Sequence, residues 1–371
     1  MALELPDFPW DTLAPFADEA RAHPDGIVDL SVGSPVDPTP ELIRTALTAA
    51  TDAHAYPQTS GSLALREAIV EWYARRRGVP DLSVDNVIPT IGSKEFVSLL
   101  PMLLGLGPAD VVVQPSAAYP SYAVGAAVVG ATVISSDEPD EWPENTRLVW
   151  LNSPGNPDGR VHGIDFLRRA VVRARELGAV IANDECYAEL DWGSPGQATP
   201  SILDPRVTQG TRRLTLSVYS LSKQSNLAGY RAGIVAGCSD LVGELLAARK
   251  NLGLIPPAPV QAAMIAALGD DEHVATQRER YRLRRDALRS AIEAAGFRVD
   301  GSEAGLYLWA TRGEDSWATV AALARLGILV APGAFYGEAG REHIRIALTV
   351  SDDGVRSAVE RLAALPVVAL P

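Results

Sequence analysis

The middle of this chain alternates short, nearly all-apolar runs with stretches of helical period, and that alternation leaves few folds open. Apolar runs fall at 86–91, 110–114, 131–135, 147–151, 179–183 and 214–219. Helical stretches separate several of them, for instance 94–104 and 164–177, the latter closed by Gly178. A strand such as Val-Ile-Ala-Asn-Asp must be covered on both faces, which a mostly parallel sheet flanked by helices provides. The expectation is an α/β fold.

After Asn251 the texture changes. Pro256, Pro257 and Pro259 interrupt the chain, and an Arg-rich helical stretch over 260–295 breaks near Gly269. Short strands at 305–311, 328–331 and 343–349 follow, with helices at 316–326 and 352–362. That pattern predicts a smaller α+β domain. The first 35 residues are too few to form a core alone, so they should pack against that domain or another subunit. The expected division is a large domain over 36–250 and a small domain from 1–35 plus 251–371.

Charge and composition narrow the partners. With 33 Lys plus Arg against 46 Asp plus Glu, the net charge of −13 repels phosphate backbones, so no nucleic acid is expected. No apolar run reaches the roughly 20 residues of a membrane helix, and the N-terminus lacks a basic leader region. A cytoplasmic protein without membrane contact is expected. Cys186 and Cys238 make neither a disulfide framework nor a zinc cluster, so no metal is expected.

Only three of the 33 basic residues are lysines: Lys94, Lys223 and Lys250. Lys250 closes a helical pattern, where a cation suits the helix dipole. The other two stand at strand ends, the edge where open α/β sheets bind ligands. Thr90-Ile91-Gly92-Ser93-Lys94 reads as strand, glycine turn and helix start, which suits a phosphate, although Ser93 also serves as a plain N-cap. Asn152 to Gly159 contains two Pro and two Gly, and Asn156 before Pro157 is held extended. Asp184 ends an apolar strand and needs a cationic or N–H partner, with a structural ion pair the alternative. Cys186 reads as packing. Lys223 follows Ser220 and Ser222, with Arg231 eight residues on, and a desolvated lysine there suits Schiff-base chemistry. Arg345 is a lone cation in an alternating apolar strand, and its planar fork suits a carboxylate.

Taken in order, Gly33-Ser34-Pro35, Tyr56 with Gly61 and Leu65-Arg66, Gly92-Ser93-Lys94, Tyr119-Pro120, Asn156-Pro157, Asp184-Glu185-x-Tyr187, Ser220-x-Ser222-Lys223, Arg231 and Arg345 resemble the class I/II aminotransferases of pyridoxal-phosphate fold type I. The resemblance covers nearly the whole chain, with Asp158 standing where the family usually has Thr. It implies pyridoxal 5′-phosphate as cofactor, and amino acids and 2-oxo acids as substrates. It also implies a homodimer with its sites at the interface. Lys223 would then hold the cofactor covalently and carry the proton, and Asp184 would pair with the pyridine nitrogen. Tyr187 and Asn156 would bond the ring hydroxyl oxygen, and Tyr119 would stack on the ring. Ser93, Lys94, Ser220 and Arg231 would hold the phosphate, joined by Tyr56 from the neighbouring subunit. Arg345 would bind the substrate carboxylate, with Gly33 and Asn156 beside it.

The N-terminal runs 5–11 and 23–33, Tyr56-Pro57-Gln58-Thr59 and Gly305-Leu306-Tyr307-Leu308-Trp309 further resemble actinobacterial succinyldiaminopimelate aminotransferases. That implies amino transfer between glutamate and N-succinyl-2-amino-6-oxopimelate, in lysine biosynthesis through diaminopimelate. The alternatives are another glutamate-dependent aminotransferase, or a carbon–sulfur lyase on the same fold.

Overall fold

A computed structural model describes residues 5–193 and 199–365. Its strands in chain order are β1 (Val28–Asp29), β2 (Val87–Ile91), β3 (Val111–Gln114), β4 (Thr132–Ser135), β5 (Thr146–Asn152), β6 (Val180–Asp184), β7 (Thr215–Ser220), β8 (Ala232–Gly237), β9 (Arg298–Asp300), β10 (Tyr307–Thr311), β11 (Ile328–Leu329), β12 (Ala331–Pro332) and β13 (His343–Ala347). Seven of them form the main sheet in the order β2-β8-β7-β6-β5-β3-β4. The run from β4 through β7 is parallel, and only β8 runs antiparallel to both its neighbours.

Burial explains why these strands are apolar throughout. In β5, Val149 and Leu151 join the core on one face with Trp72 and Ile69, while Leu148 and Trp150 join the other with Phe96 and Val218. Both faces are therefore dry, as the continuous apolar runs require. The helix Leu63–Arg77 begins where Ser62 accepts the Leu65 amide at 3.2 Å and ends at Gly78 with φ 66°. Serine capping and a left-handed glycine set those two boundaries.

The strand β8 is absent from the sequence expectation. It carries Gly233 and Gly237, which weaken the strand signal, yet Gly233 is required: a Cβ there would lie 2.4 Å from Thr90 Oγ1 and 2.8 Å from the Ser93 amide nitrogen. The two-residue β1 and three-residue β9 also lie below what periodicity reveals.

A second sheet, β12-β13-β10-β9, is antiparallel and has its own apolar cluster containing Leu308, Ile346, Leu323 and Ile292. The N-terminal segment belongs to this cluster through Leu13, Ala17, Val28 and Leu30, and β1 pairs in parallel with β11. The Arg-rich stretch is two helices, Ala258–Gly269 and Glu272–Ala294, parted at Asp270 and Asp271. Among the described residues, no helix is long and apolar enough to cross a membrane.

Candidate active site

The carboxyl ends of β5, β6 and β7 open into a cavity of about 560 Å³. Every site residue singled out from the sequence lines it except Tyr56, whose side chain is fully exposed away from the cavity. Gly33, Ser93, Lys94, Tyr119, Asn156, Asp184, Tyr187, Ser220, Lys223, Arg231 and Arg345 are thereby brought together from seven separate stretches of chain.

Asp184 is the last residue of β6 and 6% exposed. Tyr122 donates to its Oδ2 at 3.1 Å and the Cys186 amide to its Oδ1 at 3.2 Å. Burial pushes its carboxyl above the ordinary range, because no cation pairs with it among the described residues. Its neighbour Glu185 is in the opposite situation. Glu185 faces Arg77 at 3.1 Å, both side chains being buried. One acid of the pair is neutralised within the protein and the other is left facing the cavity. Asn152 fixes the adjoining loop, donating to the Asp184 carbonyl at 2.9 Å while its Oδ1 accepts the Asn156 amide at 2.7 Å.

Lys223 lies in the single turn Leu221–Gln224 after β7, where Ser220 caps by accepting the Ser222 amide at 3.2 Å. Its ammonium bonds the Gly33 carbonyl, and burial lowers its pKa. A lysine so placed yields a neutral amine more readily than an exposed one.

The helix Gly92–Leu103 starts at the cavity, with Ser93 and Lys94 on the wall. Gly92 has φ 73°, and a Cβ there would come within 2.2 Å of Arg231 Nη2, so the guanidinium lies against the glycine. Glu95, one turn in, is bound by Arg249 at 2.7 and 3.1 Å, which anchors the start of the helix. A helix N-terminus beside an arginine is an anion site.

Arg345, on β13, is 2% exposed. It donates to Asn156 Oδ1 at 2.9 Å and the Ser31 carbonyl at 2.7 Å, and stacks 3.9 Å over the Tyr307 ring. Its buried Nε has no partner. Among the described residues none of Lys94, Lys223, Arg231 and Arg345 forms a salt bridge, whereas the buried Arg249 and Arg284 pair with Glu95 and Asp37. The cavity thus sets four cations without an ion-pair partner against one buried carboxylate, Asp184, with the exposed Asp7 also on its wall. A phosphate, a substrate carboxylate and a protonated ring nitrogen would balance that set, so these residues fit pyridoxal 5′-phosphate with an amino-acid substrate.

Some lining residues are invisible to sequence reasoning. Tyr307, Phe8 and Trp10 lie in runs that carry the resemblance but read as ordinary apolar content with no site role, and Asn152 is one amide in a polar loop; Tyr122, which holds Asp184 from behind the wall, gives no signal either. The one available signal is the facing register of β10 and β13, where Trp309 pairs with Arg345 and places Tyr307 diagonally beside the cation. Cys186 also lines the cavity, with burial holding its thiol well above its usual pKa, in keeping with packing.

The fold and this charge pattern define a pyridoxal-phosphate enzyme of fold type I. The family model described as aminotransferase class I and II matches residues 25–362, and the chain belongs to that family. It is a pyridoxal-phosphate-dependent aminotransferase, acting on amino and oxo acids. The chain is 53% identical over 360 residues to the 4-dedimethylamino-4-oxo-anhydrotetracycline transaminase OxyQ of Streptomyces rimosus, covering 97% of this chain and 99% of that protein. It is 54% identical to a "probable aminotransferase" of Mycobacterium tuberculosis, covering 98% and 86%. Among solved structures, a "probable N-succinyldiaminopimelate aminotransferase" of Thermus thermophilus matches with TM-score 0.86 and 27% identity, covering 96% and 99%.

Proposed function

We propose that this aminotransferase moves an amino group between glutamate and N-succinyl-2-amino-6-oxopimelate, within lysine biosynthesis through diaminopimelate. The observation that carries this reading is Lys94. Its ammonium lies 5.3 Å over the Phe8 ring on the cavity wall, without a carboxylate partner among the described residues. Partial burial and the nearby Arg231 lower its pKa, so it favours an anion beside it. Arg231 suffices for the phosphate and Arg345 for the α-carboxylate. Lys94, assigned from the sequence to the phosphate, then meets a second carboxylate, which glutamate and the succinylated substrate both carry.

In this reading Lys223 holds the cofactor and carries the proton at the substrate α-carbon. Asp184 keeps the ring nitrogen protonated, Tyr187 and Asn156 hold the ring oxygen, and Tyr119 covers the ring. Ser93 and Ser220 assist Arg231 at the phosphate, and Gly33 lies beside Arg345. The bound cofactor supplies an electron sink for the α-carbon. We assign this cofactor site to the 36–250 unit, with 1–35 and 251–371 closing over it, in a cytoplasmic homodimer. Tyr56 is fully exposed, and Val32, Val36, Leu42 and Leu63 of the same N-terminal part are exposed apolar residues, which supports a contact with a second copy.

The apolar rim of Phe8, Pro9, Trp10 and Val124 favours a second reading, a bulky ring ketone of the kind named for OxyQ. Steady-state turnover with 2-oxoglutarate and a panel of acylated diaminopimelates, aromatic donors and ring ketones separates the two. Lys94→Met should lower kcat/KM for glutamate and succinyldiaminopimelate at least tenfold, about 1.4 kcal/mol, and spare a donor without a second carboxylate. Equal losses on both donor types, or no preference for the succinylated substrate, would sink the reading.

A further inference from the structure

Tyr307 sits where three parts of the site meet. It lies on β10, 3% exposed, with the Arg345 guanidinium 3.9 Å over its ring. Its hydroxyl is 3.2 Å from the Tyr187 hydroxyl. A Cβ on Gly33 would come within 2.1 Å of the same oxygen, and the Gly33 carbonyl accepts the Lys223 ammonium. We propose that Tyr307 is a positioning residue for amino transfer, orienting Arg345 with its ring and the Tyr187 hydroxyl with its own.

The two phenols of the pair differ in their surroundings. Burial pushes the Tyr187 phenol well above its ordinary value. Burial alone would raise Tyr307 as well, but Arg345 and Lys223 outweigh it and bring that phenol below the ordinary value. The 3.2 Å bond between the two hydroxyls, in which either oxygen can donate, ties the Tyr187 hydroxyl to Tyr307 and fixes its place on the cavity wall. The Tyr307 ring meanwhile covers one face of a guanidinium that only neutral acceptors hold, fixing its plane for a bidentate carboxylate.

This inference rests on the reading of Arg345 and Tyr187 above. Two variants split the roles: Tyr307→Phe keeps the ring and removes the hydroxyl, and Tyr307→Leu removes both. Each is purified with cofactor bound. The dissociation constant of succinate, a carboxylate that cannot transaminate, is measured alongside the midpoint of the visible-absorbance pH titration. Tyr307→Phe should move the titration midpoint by at least half a pH unit and hold the succinate constant within twofold. Tyr307→Leu should weaken succinate at least tenfold. A merely structural residue would change melting temperature and leave both readouts in place, which overturns the proposal. An unchanged midpoint in Tyr307→Phe does the same even where Tyr307→Leu fails to fold. Unchanged succinate binding in Arg345→Lys would overturn the Arg345 reading together with this one, whereas an unchanged constant in Tyr307→Leu alone overturns only the role of Tyr307.

Discussion

Asp184 and Glu185 are adjacent acids with opposite fates, and their difference decides what a substitution does. Arg77 already pairs with Glu185, whereas Asp184 accepts from a phenol and an amide and meets no cation among the described residues. Its raised pKa means that the ionised group costs stability in the cofactor-free chain. Asp184→Asn should therefore leave the melting temperature of that form unchanged or higher. Turnover should fall about 10²–10³-fold, the scale of losing one preorganised charge in a site. Calorimetry and a turnover assay on the same preparations check this; a lower melting temperature with normal turnover per folded molecule would make Asp184 a structural acid. Lys250 provides the contrast among the three lysines. It lies in the last turn of the helix Ser239–Leu252, where its charge meets the dipole, and far from any role in the cavity. Residues like Asp184, Lys223 and Arg345 are legible in sequence because each is a charge at the end or in the middle of an apolar strand. Tyr307 and Tyr122 are not, since an aromatic in a strand is ordinary core.

At the scale of elements, the turn carrying Lys223 is braced from behind. Ser225 Oγ lies 2.8 Å from His273 Nε2, and His273 Nδ1 lies 2.7 Å from Asp270 Oδ2. The three residues have the order of a hydrolase triad, but Ser225 is completely buried and no substrate reaches it. The chain of bonds instead ties the turn Leu221–Gln224 to the first turn of the helix Glu272–Ala294. Ser225→Ala removes the buried link to His273, worth about 1 kcal/mol, together with the longer bond that Ser225 Oγ accepts from Gln224 Nε2 at 3.3 Å. Cofactor affinity should fall about fivefold by equilibrium dialysis; an unchanged affinity would mean that the brace serves the helix alone. Sequence reasoning misses this link because its members lie 48 residues apart with no periodic relation. It misses β8 for a different reason, since close approach to Thr90 and Ser93 requires glycine where strands usually carry bulk.

For the molecule as a whole, the critical tie is Asp37, on the segment leading from the N-terminal region into the main sheet. Arg284 grips it with two bonds of 2.7 and 2.8 Å, and Gln277 adds a third at 2.8 Å. Arg284 also bonds Asp352 at the start of the last helix, at 2.7 Å. Burial alone would raise the Asp37 carboxyl, but the Arg284 and Gln277 bonds outweigh it and hold the group below the usual value. A carboxylate lowered on folding stabilises above its unfolded pKa of about 3.9 and loses that contribution as pH falls through its folded pKa. Asp37→Asn should cost about 2–3 kcal/mol at pH 7 and the same at pH 5, with the gap closing only below about pH 4. Urea titrations at pH 7, 5 and 3.5 follow the gap; one that closes already at pH 5 would remove Asp37 from the account. The alternation of strands and helices made the main sheet legible, while this tie joins residues 247 positions apart and left no local trace.

The four unbalanced cations of the cavity bear on how such a protein is handled at the bench. Inorganic phosphate and carboxylate buffers offer the same charges as the cofactor and substrate, so they occupy the same amides and guanidinium groups. An affinity for the cofactor measured in phosphate is then a competition constant, weaker than one measured in an amine buffer by the factor 1 + [phosphate]/Kd. By the same linkage, millimolar phosphate protects the cofactor-free protein against heat, and dialysis into an anion-poor buffer removes that protection.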